Sequence, residues 1–381
     1  MEVVISKSDL EKALQVTNNT VASGAVDIST HFVFRYTEDD KLEILSYSGR
    51  LFSSAICSGA TVTDTDEHTA FTIEAKRLNL WLSAVGDCAL TFTFNPVGKV
   101  TKAKSPMGSQ TFRSLDPSAF PYWDDVVNDA NETASVPANF MKNALSHLRK
   151  FVSSDDTKRP SFCVTEARDG LILAASQGLL SAVGIQDFAT DNKLRANGKN
   201  VSSIVSYLNI FEEGTISICE HDNFVLYKAS DGSMLGESRD NHSFPNVALK
   251  LDDPTDHQWL IDVADLKNAM IFLKSGAPHE DNRLKFKYQD GNTIQVGMCV
   301  AGPDGGDTFV ELQTFAQTKK DDDVDTVDTF ELHYKNLDMV LGTIKDDRIN
   351  LGVSKKNSSG LVRLDSTLNG NQYVSMLTWM R

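Results

Sequence analysis

Apolar residues follow two rhythms along the chain, and the rhythms alternate in a fixed order. In ISKSDLEKAL (residues 5–14), VPANFMKNAL (136–145) and IDVADLKNAM (261–270) they recur at helical spacing, behind one extended apolar residue and a capping-type residue. Superposed, Ile5, Val136 and Ile261 align, then Leu10, Met141 and Leu266, then Ala13, Ala144 and Ala269, at intervals of 131 and 125 residues. Each block predicts a strand end followed by an amphipathic helix. Downstream, Phe34-Arg35-Tyr36 leads into TEDDKLEIL, Phe162-Cys163-Val164 into TEARDGLIL, and Phe286-Lys287-Tyr288 into QDGNTIQVG. Period-two alternation around Asp169-Gly170 and Asp290-Gly291 predicts hairpins there.

A second helical block follows in each stretch: IEAKRLNLWLSAV from Ile73, NGKNVSSIVSYL from Asn197 and LHYKNLDMVLGTI from Leu332. Leu78, Val201 and Leu337 align, as do Trp81, Ile204 and Val340. Phe120-Pro121 and Phe244-Pro245 close the first two stretches. Four markers recurring with nearly one period predict three tandem copies of one unit, at residues 1–127, 128–252 and 253–381. The junctions at 123–135 (WDDVVNDANETAS) and 249–258 (LKLDDPTDHQ) are polar and acidic, as linkers are. The remaining segments, among them ALTFTF, TISICE, FVLYKA and LVRLDS, read as short alternating strands. The expected class is α+β: each unit has two helices packed together on one face of a mainly antiparallel sheet.

Composition narrows the function. Hydrophobic content of 41% and charged content of 23% are those of a globular chain. No apolar run approaches the roughly 18–20 residues that span a bilayer, and the first residues carry no signal-peptide pattern. The five cysteines, 57, 88, 163, 219 and 299, are odd in number and widely spaced. They read as buried reduced thiols, which points to the cytoplasm. A net charge of −15, from 52 acidic and 37 basic residues, argues at face value against nucleic acid.

No catalytic constellation is present: there is no phosphate-loop, zinc-protease or nucleophile-elbow motif, so no enzyme, metal or cofactor is expected. The eight histidines are scattered and read as surface or core residues. Residues 302–307 (GPDGGD) lie between strands and read as a hairpin loop. The acidic run at 319–328 could hold a divalent cation but reads better as a solvated loop. Basic residues, in contrast, travel with the helices. The first helices carry Lys7 and Lys12, then Lys142, Arg149 and Lys150, then Lys267 and Lys274. The second helices carry Lys76 and Arg77, then Lys199, then Lys335 and Lys345. Acidic neighbours Glu11, Asp265 and Asp338 fit an ordinary solvated helix face, whereas recurrence with the repeat fits a shared cationic face.

Taken together, the threefold repeat, Ile73-Glu74-Ala75-Lys76-Arg77, Phe120-Pro121, Phe244-Pro245 and the terminal YVSMLTWMR resemble one family across essentially the whole chain. It is the bacterial-type DNA polymerase sliding clamp, the beta subunit of the replicative polymerase. The resemblance implies three similar domains in a crescent. Two crescents close head to tail into a homodimeric ring, with helices inside and sheets outside. Duplex DNA would pass through the hole, held without sequence preference by phosphate contacts from Lys7, Lys12, Lys76, Arg77, Lys142, Arg149, Lys150, Lys199, Lys267 and Lys335. The resemblance further implies a cleft between domains 2 and 3 for peptides of the polymerase, the clamp loader and other motif-bearing proteins. Ser176, Gly178, Leu179, Leu180, Pro245, Leu249, Met376, Trp379, Met380 and Arg381 would line it. Phe112, Phe272 and Leu273 would meet at the dimer interface. Leu179-Leu180 stand where the family usually has His-Arg, and a family proline near Trp379 is missing. These departures mark a divergent or phage-encoded member. The alternative is a clamp-fold scaffold that binds peptides without encircling DNA.

Overall fold

The computed structural model describes the chain apart from residues 25–26, 38, 66–68, 156, 160–162, 169, 177–178, 185–193, 240–243, 245–254, 256, 277–281, 290–291, 300–306, 320–328, 354–360, 369–370 and 379–381. Its elements repeat one order three times. The first pass runs β1 (Glu2–Ser6), α1 (Lys7–Thr17), β2 (His31–Tyr36), β3 (Leu42–Tyr47), β4 (Leu51–Cys57), β5 (Thr61–Thr63), β6 (Ala70–Glu74), α2 (Ala75–Ala84), β7 (Ala89–Asn95), β8 (Val100–Ser105) and β9 (Gly108–Arg113). After α3 (Asp124–Asp129) the second pass runs β10 (Asn131–Pro137), α4 (Ala138–Leu148), β11 (Val164–Arg168), β12 (Leu171–Ser176), β13 (Leu179–Gly184), β14 (Leu194–Asn197), α5 (Val201–Ile210), β15 (Thr215–His221), β16 (Phe224–Ala229) and β17 (Met234–Ser238). The third runs β18 (His257–Asp262), α6 (Val263–Gly276), β19 (Arg283–Gln289), β20 (Thr293–Cys299), β21 (Asp307–Lys319), β22 (Thr329–His333), α7 (Tyr334–Leu341), β23 (Arg348–Val353), β24 (Leu361–Leu368) and β25 (Asn371–Thr378).

The aligned apolar positions are the core. Ile5, Val136 and Ile261 are at most 1% exposed, and Leu78, Val201 and Leu337 are fully buried. Helix starts are set by side chains that satisfy orphan amides: Ser6 accepts from the Asp9 N–H at 3.0 Å, and Asp262 accepts from Ala264 and Asp265 at 2.9 and 3.1 Å. The tight β11–β12 turn needs a left-handed residue, and Gly170 supplies it at φ +74°. Core stacking recurs as well. Phe34 lies flat on Phe71 at 4.8 Å in the first repeat, and Phe286 on Phe330 at 4.8 Å in the third.

Two compact units result. One is Met1–Asn143 with Asn200–Asp240; the other is Ala144–Lys199 with Asn241–Arg381. The first holds a five-stranded sheet, β5-β1-β7-β8-β9, and an eight-stranded sheet, β10-β15-β16-β17-β4-β3-β2-β6. The second holds a twelve-stranded sheet, β14-β11-β12-β13-β25-β24-β23-β18-β21-β20-β19-β22. These units cut through the second repeat because ladders run across the repeats: β17 pairs with β4, and β25 with β13.

The segment expected as a linker at 123–135 is structured. It forms α3 and the start of β10, and Trp123 stacks on Phe52. The other expected linker lies mainly outside the described residues. Cys57, Cys163 and Cys219 are buried thiols, with Cys57 pushed up to about 12 by burial, while Cys88 is half-buried. No helix of the described residues is long and apolar enough to cross a membrane.

Candidate nucleic-acid and partner surfaces

The two helices of each repeat touch, and cations mediate much of the contact. Lys7 donates to the Val85 carbonyl at 2.7 Å and pairs with Glu11, which spans α1 and the end of α2. Lys142 of α4 pairs with Glu212 at 2.5 Å and reaches Asn209 of α5. Lys274 of α6 sits 5.7 Å from the Tyr334 ring of α7. Lys7 and Lys142 are only 15% exposed at the side chain, so their charge is spent inside the protein. Lys267 is half-buried and lines a 740 Å³ cavity with Asp262, Lys345, Asp346 and Asp347.

The other cations in the expected set face solvent. Lys12 is 77% exposed at the side chain, 3.7 Å from Asp9. Lys76, Arg77, Arg149, Lys150, Lys199 and Lys335 are exposed, and Arg77 lies over the Phe112 ring at 5.8 Å. Glu11, Asp265 and Asp338 are exposed on the same helices. The helices therefore present a mixed surface richer in cations than the chain as a whole, not a purely basic one.

Strand pairing across repeats leaves one place unfilled. The third strand of the first repeat, β4, takes β17 of the second; its counterpart β13 takes β25 of the third. The matching part of the third repeat is β21 over residues 307–313. Among the described residues it pairs with β20 alone, since only residues 314–319 pair with β18. Likewise, among the described residues β9, the counterpart of β17 and β25, pairs only with β8 and ends its sheet. The open strand β9 carries exposed Arg113, with Lys102 and Lys104 exposed on its neighbour β8, and β21 carries exposed Glu311.

Helices show the same vacancy. The turn after α1 packs on α5 of the next repeat, where Ser203 donates to the Asn19 carbonyl at 3.4 Å. The corresponding end of α6 exposes Ile271 at 64% and Phe272 at 63%, and α2 exposes Leu80 at 73%. Of the residues expected at a dimer interface, Phe272 is thus at the surface. Leu273 is 3% exposed, and Phe112 is 1% exposed beneath Trp81 and Arg77. Sequence reasoning missed Ile271 and Leu80. The available signal was an apolar residue falling off the buried stripe of its helix: Leu266, Ala269, Met270 and Leu273 in α6, Leu78 and Leu82 in α2.

Part of the expected peptide cleft is described. Ser176 and Leu179 close the β12–β13 hairpin, and Leu180 packs with Val164, Leu173, Ala175, Ala182 and Phe244, with Leu171 and Val374 at the margin. Leu179 and Leu180 are 9% and 7% exposed. Met376 pairs with Leu180 along the backbone. Its side chain, and Gly178, Pro245, Leu249, Trp379, Met380 and Arg381, lie outside the described residues.

No protein-family model matches the chain, and no curated protein does. Solved structures do match along its whole length. The DNA polymerase sliding clamp from Bacillus subtilis superposes with a TM-score of 0.81 at 13% identity, over 100% of this chain and 99% of its own. The DNA polymerase III subunit beta from Pseudomonas aeruginosa gives 0.80 at 13%, covering 100% of both chains. The beta subunit from Thermotoga maritima gives 0.79 at 13%, over 100% and 99%. From its first strand to its last, the chain has the fold of the bacterial DNA polymerase III beta subunits, the DNA polymerase sliding clamps.

Proposed function

We propose that the protein is a sliding clamp: two copies close head to tail into a ring around duplex DNA and tether a replicative polymerase for processive synthesis. The carrying observation is the pair of unfilled edges. Each repeat lends its third strand to the last strand of the next, and only β21 (307–313) and β9 lack that neighbour within the described chain. A second copy supplies both at once, so the ladder closes instead of growing without end. Opposite charge on the two edges and the apolar Ile271, Phe272 and Leu80 beside the matching helices support the pairing. The three domains are then 1–127, 128–252 and 253–381.

Phosphate contacts fall to Lys12, Lys76, Arg77, Arg149, Lys150, Lys199 and Lys335, without base readout, so the ring slides. Lys267, half-buried, joins them from the wall of its cavity, whereas Lys7 and Lys142 are engaged by partners within the protein. Retention is topological. Contacts to several phosphates alone would lose roughly 10³–10⁵ in affinity between 50 and 200 mM salt, whereas a closed ring stays on circular DNA. The apolar cluster around Leu180 is the floor of a cleft for peptides of the polymerase, the clamp loader and other motif-bearing proteins. The family resemblance assigns its other wall to Pro245, Leu249, Met376 and residues 379–381, whose side chains lie outside the described residues. The protein works in the cytoplasm on nucleoid DNA and carries out no chemistry itself.

Light scattering on the eluting protein is expected to give about twice 41.9 kDa. Loaded on nicked circular plasmid, the protein is expected to survive high salt and to be released when the plasmid is linearised. A monomer at micromolar concentration that still binds a polymerase peptide identifies the clamp-fold scaffold instead.

A further inference from the structure

Residues 120–130 lie across a groove in the first unit as a bound peptide would. The Trp123 ring is parallel to Phe52 at 4.2 Å and flanked by Tyr47 at 5.1 Å. Val126, Val127 and Ala130 follow onto Phe52, Cys219, Leu226 and Met234. Polar contacts fix the direction of the segment. Arg35 grips Asp124 through two bonds of 2.6 and 2.8 Å, and Lys228 donates to the Val127 carbonyl at 3.2 Å. The groove itself is built by strands that owe nothing to the segment: Phe52 of β4 lies over Gly236 of β17, where a Cβ would sit 2.1 Å from the ring.

Hold on the segment is shallow. No residue of the six-residue α3 is buried, and Tyr122 is 38% exposed. A 610 Å³ cavity lined by Arg35, Tyr122, Asp124, Phe94 and Ser114 opens along one side, so the segment does not fill its site. The second repeat shows what is special here. At the matching places on the ladder of the second repeat, Tyr47 and Phe52 become Ala175 and Leu180, Glu43 becomes Leu171, and Arg168, paired with Leu171 as Arg35 is with Glu43, stands in the place of Arg35. Of these two grooves, the first has the aromatic floor.

We propose that residues 123–130 are an exchangeable, built-in ligand, and that the groove beneath them is a second docking site, for peptides in which an aromatic residue is followed by two acidic ones. Stacking on Phe52 reads the aromatic residue, Arg35 reads the first acid, and the apolar pair that follows covers Leu226 and Met234. The internal segment sets a threshold, because an incoming peptide binds only the fraction of molecules in which it has lifted. This site is independent of ring closure and of the cluster around Leu180.

The test uses the full chain and a fluorescein-labelled peptide, PYWDDVVNDA, followed by anisotropy. Trp123→Ala is expected to bind it saturably, and the wild-type protein at least about tenfold more weakly. Arg35→Gln in the Trp123→Ala background is expected to abolish binding. Equal binding to wild type and Trp123→Ala, or no binding to folded Trp123→Ala, overturns the proposal. Hydrogen exchange on the wild type needs no variant. The Val127 and Ala130 amides, bonded to Trp123 and Val126, are expected to exchange at least about tenfold faster than those of β4 and β16. Exchange at the rate of those strands means the segment lifts only on unfolding, and the docking site is then excluded.

Discussion

Gly236 faces Phe52 across the β17–β4 ladder, and the ring occupies the space a side chain would take. Gly236→Ala therefore cannot be absorbed by a flexible neighbour; it must push Phe52 into Trp123. The expected cost is about 1–3 kcal/mol in urea unfolding, with a loss of Trp123 shielding seen in its fluorescence. A second residue couples the fold to pH. His147 is buried against Phe151 and Tyr373, with Ser181 Oγ 2.8 Å from its Nε2 and Lys150 nearby. Burial, then the Lys150 charge, lowers it from 6.5 to about 4. The neutral ring is the folded form, so its contribution is complete above pH 6.5 and lost as pH falls towards 4. That contribution is worth at most about 3 kcal/mol. His147→Gln, which keeps a partner for Ser181 but does not titrate, is expected to flatten the unfolding free energy over that window.

At the scale of elements, capping decides where each repeat turns from strand to helix. Ser6 and Asp262 occupy the same place in the first and third repeats, each satisfying an amide of the first helical turn. Ser6→Ala is expected to cost about 1 kcal/mol and to lower the melting temperature by a few degrees. Six of the seven helices among the described residues were legible in the sequence because their buried stripes repeat at 3.6 residues and recur in register. The helix α3 was not: six residues hold less than two periods, and Asp124, Asp125 and Asp129 give it the composition of a linker. It forms because Trp123 and Val126–Val127 find an apolar surface assembled from β4, β15, β16 and β17, residues about 70–110 positions away in sequence. A short apolar segment of this kind carries no local signature.

At the scale of the molecule, the open edges and the exposed apolar pair on α6 lead to one outcome. Ile271→Asp with Phe272→Asp leaves the buried stripe of α6 intact, so the chain is expected to stay folded while the particle falls from about twice 41.9 kDa to a single chain. An unchanged mass would remove these residues from the interface. The sequence pointed to Phe272 but paired it with Leu273, which faces the core. Adjacent helical residues point about 100° apart, and only the packed helix shows which of Ile271 and Leu273 is left outside.

Amino-acid order alone settles the repeat, the α+β class and the core, because all three rest on local periodicity and on burial that each period imposes. It also carries the family resemblance, through markers spread along the whole length. It could not sort the cations. Lys7 and Lys12 look alike in the chain, yet one lies against the Val85 carbonyl and the other in water. Nor could it find the groove under Trp123 or the two unpaired strand edges. Those depend on which distant strands meet, and pairing between strands far apart in sequence is decided only when the whole sheet is assembled.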